Sequence, residues 1–253
     1  MAIVLGIVVS GAKPGEGSRG HCEVWDLKKY TEEGDMYYSQ FQEDVFLNEH
    51  IFKNKKFGIY IELGALNGVT FSNTKFFEDT LKWKGILIEP HPIQFKVLQR
   101  TRPNNILVNH LVSCHKEPLL FRYFEEGLSA VSGVENTLIP FHVDLFFENQ
   151  QTQHLHQDKI WITPKSLTEI VRETRLTHID LLSLDVEGHE YEVLQSWDFS
   201  VPIDVIMIET IPSNPERNEL CRQLLLKNGY RFFSTCSDNE IFVSDKIETF
   251  LSP

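Results

Sequence analysis

From Phe57 onward, short apolar runs bounded by turn residues alternate with stretches whose apolar positions recur at helical spacing. This is the pattern of βαβ units wound around a mostly parallel sheet. Five strands are predicted, at 59–63, 86–89, 106–112, 179–184 and 205–209, each apolar enough to be buried on both faces. Helices are predicted between them at 73–81, 92–100, 166–174 and 190–197, with Pro92 suited to a first helical turn. After the fifth strand, 216–228 reads as a helix ended by Gly229, and 230–233 and 241–243 flank a polar turn. The expected fold is a single Rossmann-like α/β domain over 36–253, a mostly parallel seven-stranded sheet closed by a C-terminal antiparallel hairpin.

Two stretches stand outside this pattern. Residues 1–35 read as an N-terminal tail and linker, because a short apolar run from Ala2 to Val9 is followed by Gly11, Pro14, Gly15, Gly17 and Gly20. That run lacks a basic leader and is too short to span a bilayer, so a cytoplasmic enzyme without a membrane span is expected. The segment 125–161 is long for a connection and carries Phe141, Phe146, Phe147, His154 and His156 without clear periodicity. Loops of that length are lids or binding segments about as often as plain surface excursions.

The formal net charge of -12 narrows the partners, since phosphate-rich ligands are repelled unless a basic patch outweighs the global field. Lys and Arg occur in ones and twos, so generic nucleic-acid binding is not expected. The four cysteines, Cys22, Cys114, Cys221 and Cys236, are too scattered for a zinc knuckle or a disulfide framework.

The clearest chemical signal is Glu62-Leu63-Gly64-Ala65-Leu66-Asn67-Gly68, which follows a strand and precedes a helix. Gly64 allows a tight turn and close approach of a ligand, and Gly68 allows the next segment to pack near the sheet. Glu89 ends the next strand, where a carboxylate can accept hydrogen bonds from both hydroxyls of an adenosine ribose. Leu66 stands where a dinucleotide fingerprint has its second glycine, so a pyrophosphate cradle is incomplete. An acidic Glu62 at the loop also suits a cationic cofactor better than a dianionic one.

These residues resemble the FkbM family of S-adenosylmethionine-dependent methyltransferases. The resemblance rests on Ser39-Gln40 with Glu43-Asp44, on Glu62 to Gly68 continuing into Val69-Thr70-Phe71-Ser72-Asn73-Thr74, on Gly85-Ile86-Leu87-Ile88-Glu89-Pro90, and on Asp185-Val186-Glu187-Gly188-His189-Glu190. Many members carry Asp where Asn67 stands and Gly where Gln42 stands. The resemblance implies a class I methyltransferase fold and S-adenosylmethionine as cofactor. It also implies that Gln40 and Asn67 lie near the methionine part, Glu89 near the ribose and Ser113 near the adenine.

Methyl transfer from a sulfonium is an in-line displacement, so the protein has to align an acceptor lone pair and, for a hydroxyl, remove its proton. Asp185 and then Glu187 are the expected catalytic or acceptor-anchoring groups, at the carboxyl end of the fourth predicted strand. Glu187 and Glu190 have a plainer use as complements to a helix dipole, and His189 is expected to be structural. Asp185, Glu187 and Glu209 could converge as hard oxygen ligands, but no spacing demands a metal and none is assigned. The expected activity is O-methylation of a hydroxyl on a glycan or small molecule. The alternatives are a nucleotide-dependent oxidoreductase and a methyltransferase-like interaction module without turnover.

Overall fold

The computed structural model describes Thr31, Gly34 and residues 36–247. The predicted apolar run, the glycine-rich linker and Cys22 lie outside the described residues.

In chain order the elements are α1 (Glu43–Phe46), which runs on into a π-turn over Leu47–Phe52, β1 (Ile59–Leu63), α2 (Lys75–Asp79), β2 (Lys84–Ile88), α3 (Pro92–Thr101), β3 (Ile106–Val108) and β4 (Leu119–Phe124). There follow β5 (Gly133–Val134), the single turn α4 (Pro140–His142), β6 (Gln157–Ile162), α5 (Leu167–Thr174), β7 (Ile179–Leu184) and α6 (Glu190–Gln195). The chain closes with β8 (Ile203–Glu209), α7 (Pro215–Lys227), β9 (Tyr230–Cys236) and β10 (Asn239–Ser244).

Seven strands form one sheet in the order β3-β2-β1-β7-β8-β10-β9. The pairs β3-β2, β2-β1, β1-β7 and β7-β8 are parallel, and β10 runs antiparallel to both its neighbours. The predicted seven-stranded sheet with its reversed C-terminal hairpin is therefore the fold observed. Strand order reverses between β1 and β7, which parts the loops leaving their carboxyl ends and opens a crevice there.

Alternate residues of the buried strands feed two cores. Ile61, Ile86, Leu182 and Ile206 meet Leu167, Ile170, Val193 and Leu225 from α5, α6 and α7. On the other face Tyr60, Leu87, Leu181 and Val205 meet Ile51, Phe52, Phe76, Phe77 and Leu98. This two-sided burial is why the strands read as continuous apolar runs. α5 starts at a capping box, with the Ser166 hydroxyl accepting from the Glu169 N–H at 3.1 Å and Glu169 accepting from the Ser166 N–H at 2.9 Å.

Three local predictions are corrected. The helix expected at 73–81 begins only at Lys75, because the Asn73 N–H and the Thr74 hydroxyl donate to Glu62 instead of entering a helical ladder. The third strand stops at Val108 rather than 112, and Asn109 turns to donate to the Glu89 carbonyl at 2.7 Å. The aperiodic stretch contains two of the three strands of a small antiparallel sheet, β5-β4-β6, inserted between β3 and β7. No position of β6 is buried, so its sequence carries no apolar period; the strand exists through its ladder to β4, which pairs Leu119 with Ile162 and Phe124 with Gln157.

Candidate functional site

One cavity lies outside the carboxyl ends of β1, β2, β7 and β8, and Gln40, Glu62, Gly64, Glu89, Asp185 and Glu187 all line it. The Gly64 turn seals its floor. Gly64 has φ 77°, and a Cβ there would run into the Asp185 carbonyl oxygen. The glycine is thus required by the splice of β1 to β7, where the Asp185 N–H donates to the Leu63 carbonyl at 3.3 Å. Close approach to a ligand, the reason expected from sequence, comes second to close approach of these two strand ends.

Glu62 is the anchor of this turn. Its carboxylate accepts from the Ser72 hydroxyl at 3.0 Å, the Asn73 N–H at 2.9 Å and the Thr74 hydroxyl at 2.5 Å, and the fully buried Arg102 guanidinium lies 3.9 Å away. Arg102 in turn donates to the Gly68 carbonyl at 2.9 Å and the Tyr60 hydroxyl at 2.7 Å, and it pairs with Glu78. Gly68 packs directly against Leu98 and Arg102, as expected of a glycine between loop and helix. The result is a polar network in which each buried group has partners, and it holds the loop rigid.

Glu89 accepts from the Leu66 N–H and the His91 N–H, both at 2.7 Å, so its carboxylate is aimed into the cavity from the tip of β2. Burial pushes its carboxyl up to about 7 despite these two bonds. His91 caps α3, with Nδ1 accepting from the Ile93 and Gln94 N–H groups and Nε2 bonded to the Phe124 carbonyl at 2.8 Å.

The opposite wall is crowded with acids. Asp185 directly follows β7, Glu187 comes next but one in a left-handed conformation with φ 57°, and Glu209 ends the neighbouring β8. Their carboxylate oxygens lie within 4.8 Å of one another. Burial, then repulsion from Glu187 and Glu190, holds the Asp185 carboxyl well above its usual range; burial and Asp185 do the same to Glu209. Glu190 stands apart from this group, because it accepts from the Val186 and Gly188 N–H groups at 3.0 and 3.1 Å and so closes the turn that starts α6.

The insertion roofs this acidic corner. Ser129, Gly133 and Val134 line the cavity, His142 Nδ1 meets Glu187 Oε2 at 2.8 Å, and the Thr137 hydroxyl meets His189 Nδ1 at 2.9 Å. Gly188 passes so close to the Thr137 carbonyl that a Cβ would clash. The segment left open by the sequence is therefore a wall of the site. His189 is buried, it also lines the cavity, and burial lowers its imidazole to about 3.

Three expected cofactor residues stay outside the lining: Gly68, packed against Leu98 and Arg102, Asn67 and Ser113. The Asn67 side chain turns back to accept from the Val69 and Thr70 N–H groups at 3.0 and 2.8 Å, shaping the loop. Ser113 is buried behind the wall, 3.1 Å from His189 Nε2, and His110, Leu111 and Val112 face the cavity in its place. The sequence reading missed His110, whose Nδ1 is buried without a hydrogen-bond partner, and His142. Their signal was faint, because one follows a strand cut short and the other sits in the aperiodic insertion. Gln42, where many family members have Gly, adopts φ 68°, so the left-handed turn ahead of α1 is kept without the glycine.

A parallel sheet with one reversed strand near its edge, a glycine turn after β1, an acid ending the β2 arm and a cavity at the switch point define a class I methyltransferase. The Methyltransferase FkbM domain model matches residues 62–232, more than half of the chain, and the chain belongs to that family of S-adenosylmethionine-dependent methyltransferases. No curated protein matches the sequence. Among solved structures, fibrillarin from Aeropyrum pernix, in complex with natively bound S-adenosyl-L-methionine, is similar over 81% of this chain and 73% of its own at 11% identity and a TM-score of 0.43. Methyltransferase FkbM from Methylobacillus flagellatus KT is similar over 74% of this chain and 43% of its own, at 13% identity and a TM-score of 0.42. A methyltransferase from Pyrococcus furiosus is similar over 80% of this chain and 81% of its own, at 11% identity and a TM-score of 0.39. Among the described residues no helix is long and apolar enough to cross a membrane.

Proposed function

We propose that the chain is an O-methyltransferase that acts in the cytoplasm on a hydroxyl of a glycan or small molecule. The observation that carries this reading is the shared cavity, with the ribose-accepting Glu89 on one wall and Asp185, Glu187 and Glu209 on the other. The residues present fit S-adenosylmethionine. Glu89 offers free lone pairs to two ribose hydroxyls, the unpartnered His110 Nδ1 offers an acceptor to an exocyclic amine such as that of adenine, and the acidic field suits a sulfonium. The same field opposes an anionic dinucleotide, which disfavours the oxidoreductase alternative.

S-adenosylmethionine supplies the methyl group: the acceptor O–C bond forms as the C–S bond breaks, and the electron pair leaves to sulfur. The chain's part is to hold the acceptor in line and remove its proton. Asp185, which follows β7, accepts the hydrogen bond of the acceptor hydroxyl and takes the proton, and burial beside Glu187 and Glu190 raises its affinity for that proton. Glu187 is held by His142 of the insertion, so the roof helps position the acceptor subsite. The net charge of -12 supports a neutral or cationic acceptor over nucleic acid.

The test is incubation with labelled S-adenosylmethionine and a panel of saccharides, alcohols, RNA and protein extracts. A labelled saccharide or alcohol supports the reading; label only in RNA or protein overturns the acceptor class. A protein that binds S-adenosylhomocysteine yet labels nothing in any fraction is the interaction module instead. Stabilisation by nicotinamide dinucleotides instead of S-adenosylhomocysteine in a thermal-shift assay overturns the cofactor.

A further inference from the structure

We infer that Asp185, Glu187 and Glu209 form a binding site for one divalent cation of the magnesium or manganese type, whose open positions take the acceptor's oxygen. The inference rests on the methyltransferase reading of this cavity and adds a group to it.

Three observations carry it. The three carboxylates converge from adjacent strand ends with oxygens within 4.8 Å of one another, and all three line the cavity. Oxygens bound to one hard cation at about 2.1–2.4 Å stand roughly 3–4.8 Å apart, so the group is close to a ligand set as it stands. Second, Glu209 Oε2 is buried and has no hydrogen-bond partner, although the cavity is open beside it. A buried carboxylate oxygen in that condition needs a proton or a cation. Third, the neighbouring acids are already satisfied in other ways. Glu43 accepts from the Phe41 N–H and the Asn239 amide, Glu190 from two backbone N–H groups, and Arg217 is committed to Glu192 and the Gly188 carbonyl. Among the described residues the inner three are left facing one another, and His142 meets one oxygen of Glu187, Oε2.

His142 then has a role of its own. Fixing one oxygen of Glu187 presents the other to the ion, the usual task of a group outside the ligand sphere. An acceptor hydroxyl held by such an ion would give up its proton more readily, and its oxygen would be held at the end of the cavity facing Glu89. The proton would still pass to a carboxylate oxygen of Asp185 as the acceptor oxygen gains the methyl group and the sulfur keeps the electron pair, as in the step above.

The test uses the full chain stripped with chelator. Manganese is titrated in, free manganese is followed by electron paramagnetic resonance, and S-adenosylhomocysteine binding is measured in the same samples by calorimetry. The expected result is one manganese per chain and a rise in Tm, with chelator abolishing turnover and magnesium or manganese restoring it. Glu209→Gln is expected to abolish the manganese site, and His142→Ala to weaken it roughly 10–100-fold, both with S-adenosylhomocysteine affinity retained. Wild-type protein that binds S-adenosylhomocysteine but no manganese overturns the cation site and leaves the methyltransferase reading standing. Binding of manganese with unchanged affinity in folded Glu209→Gln overturns the ligand set, and loss of S-adenosylhomocysteine binding in the wild type counts against the methyltransferase reading itself.

Discussion

The two walls of the cavity are built from the same kind of residue and use it in opposite ways. On the β1-β2 wall, Glu62 is buried among hydroxyl, amide and guanidinium donors, and its charge holds a loop in place. On the β7-β8 wall, Asp185 and Glu209 are buried against each other and against Glu187, with Glu209 Oε2 left without a donor. Buried carboxylates are costly in both places. Where the fold supplies the partners, the acid is scaffold; where it withholds them, the missing partner is a ligand.

The largest effect expected from this contrast is catalytic. Asp185→Asn keeps volume and removes charge, and is expected to lower kcat about 100- to 10,000-fold while leaving S-adenosylhomocysteine affinity unchanged by calorimetry. Wild-type turnover would remove Asp185 from the chemistry, and lost cofactor binding would move it to the other wall.

The next effect is on folding. Arg102→Ala leaves Glu62 and Glu78 without their buried counter-ion, and a loss of about 3–5 kcal/mol is expected in urea denaturation. Gly64→Val is expected to prevent stable folding, because the added carbons meet the Asp185 backbone rather than a ligand. A folded Gly64→Val protein with weakened cofactor binding alone would show that the glycine serves the ligand first.

Glu89→Gln tests the acid of the first wall that follows β2 and faces the cavity. Losing a charged acceptor is expected to weaken S-adenosylhomocysteine binding by about 1.5–3 kcal/mol. Unchanged affinity would place the ribose elsewhere.

The last effect is a pH dependence with a defined sign. In the folded apoprotein burial raises the Glu89 carboxyl from 4.5 to about 7, so between those values the folded chain keeps a proton that the unfolded chain has lost. Stability contributed by this group therefore falls as pH rises through that window, by about 3 kcal/mol at most. Glu89→Gln is expected to flatten the fall, and to be more stable than wild type at pH 8 in the absence of ligand. An identical pH profile would show that Glu89 is ionised in both states.

Much of the first wall was legible in the sequence because it is local. The strand, the glycine turn and the acid at the next strand tip lie within 59–89, and parallel strands buried on both faces announce themselves as apolar runs. The role of Glu62 was not legible, since its partner Arg102 lies beyond three further elements. Ser113 was carried over by resemblance to the end of a third strand that in fact stops at Val108. The roof was opaque for a different reason: β6 has no buried position and α4 is a single turn, so neither has a period to read.

The sequence by itself determined the sheet, its seven strands and reversed hairpin, the family, and the residues that end β1, β2 and β7. These follow from burial period and short-range turn chemistry, which each segment carries alone. Only the tertiary structure decided which acids are satisfied. That depends on donors brought from 10 to 196 residues away, as in the bonds of Ser72 to Glu62 and Asn239 to Glu43. It also decided that Glu187 meets His142 from the insertion, and that Glu209 Oε2 meets no donor among the described residues. Charge is written in the chain, but whether a charge is scaffold or site depends on what the fold places beside it.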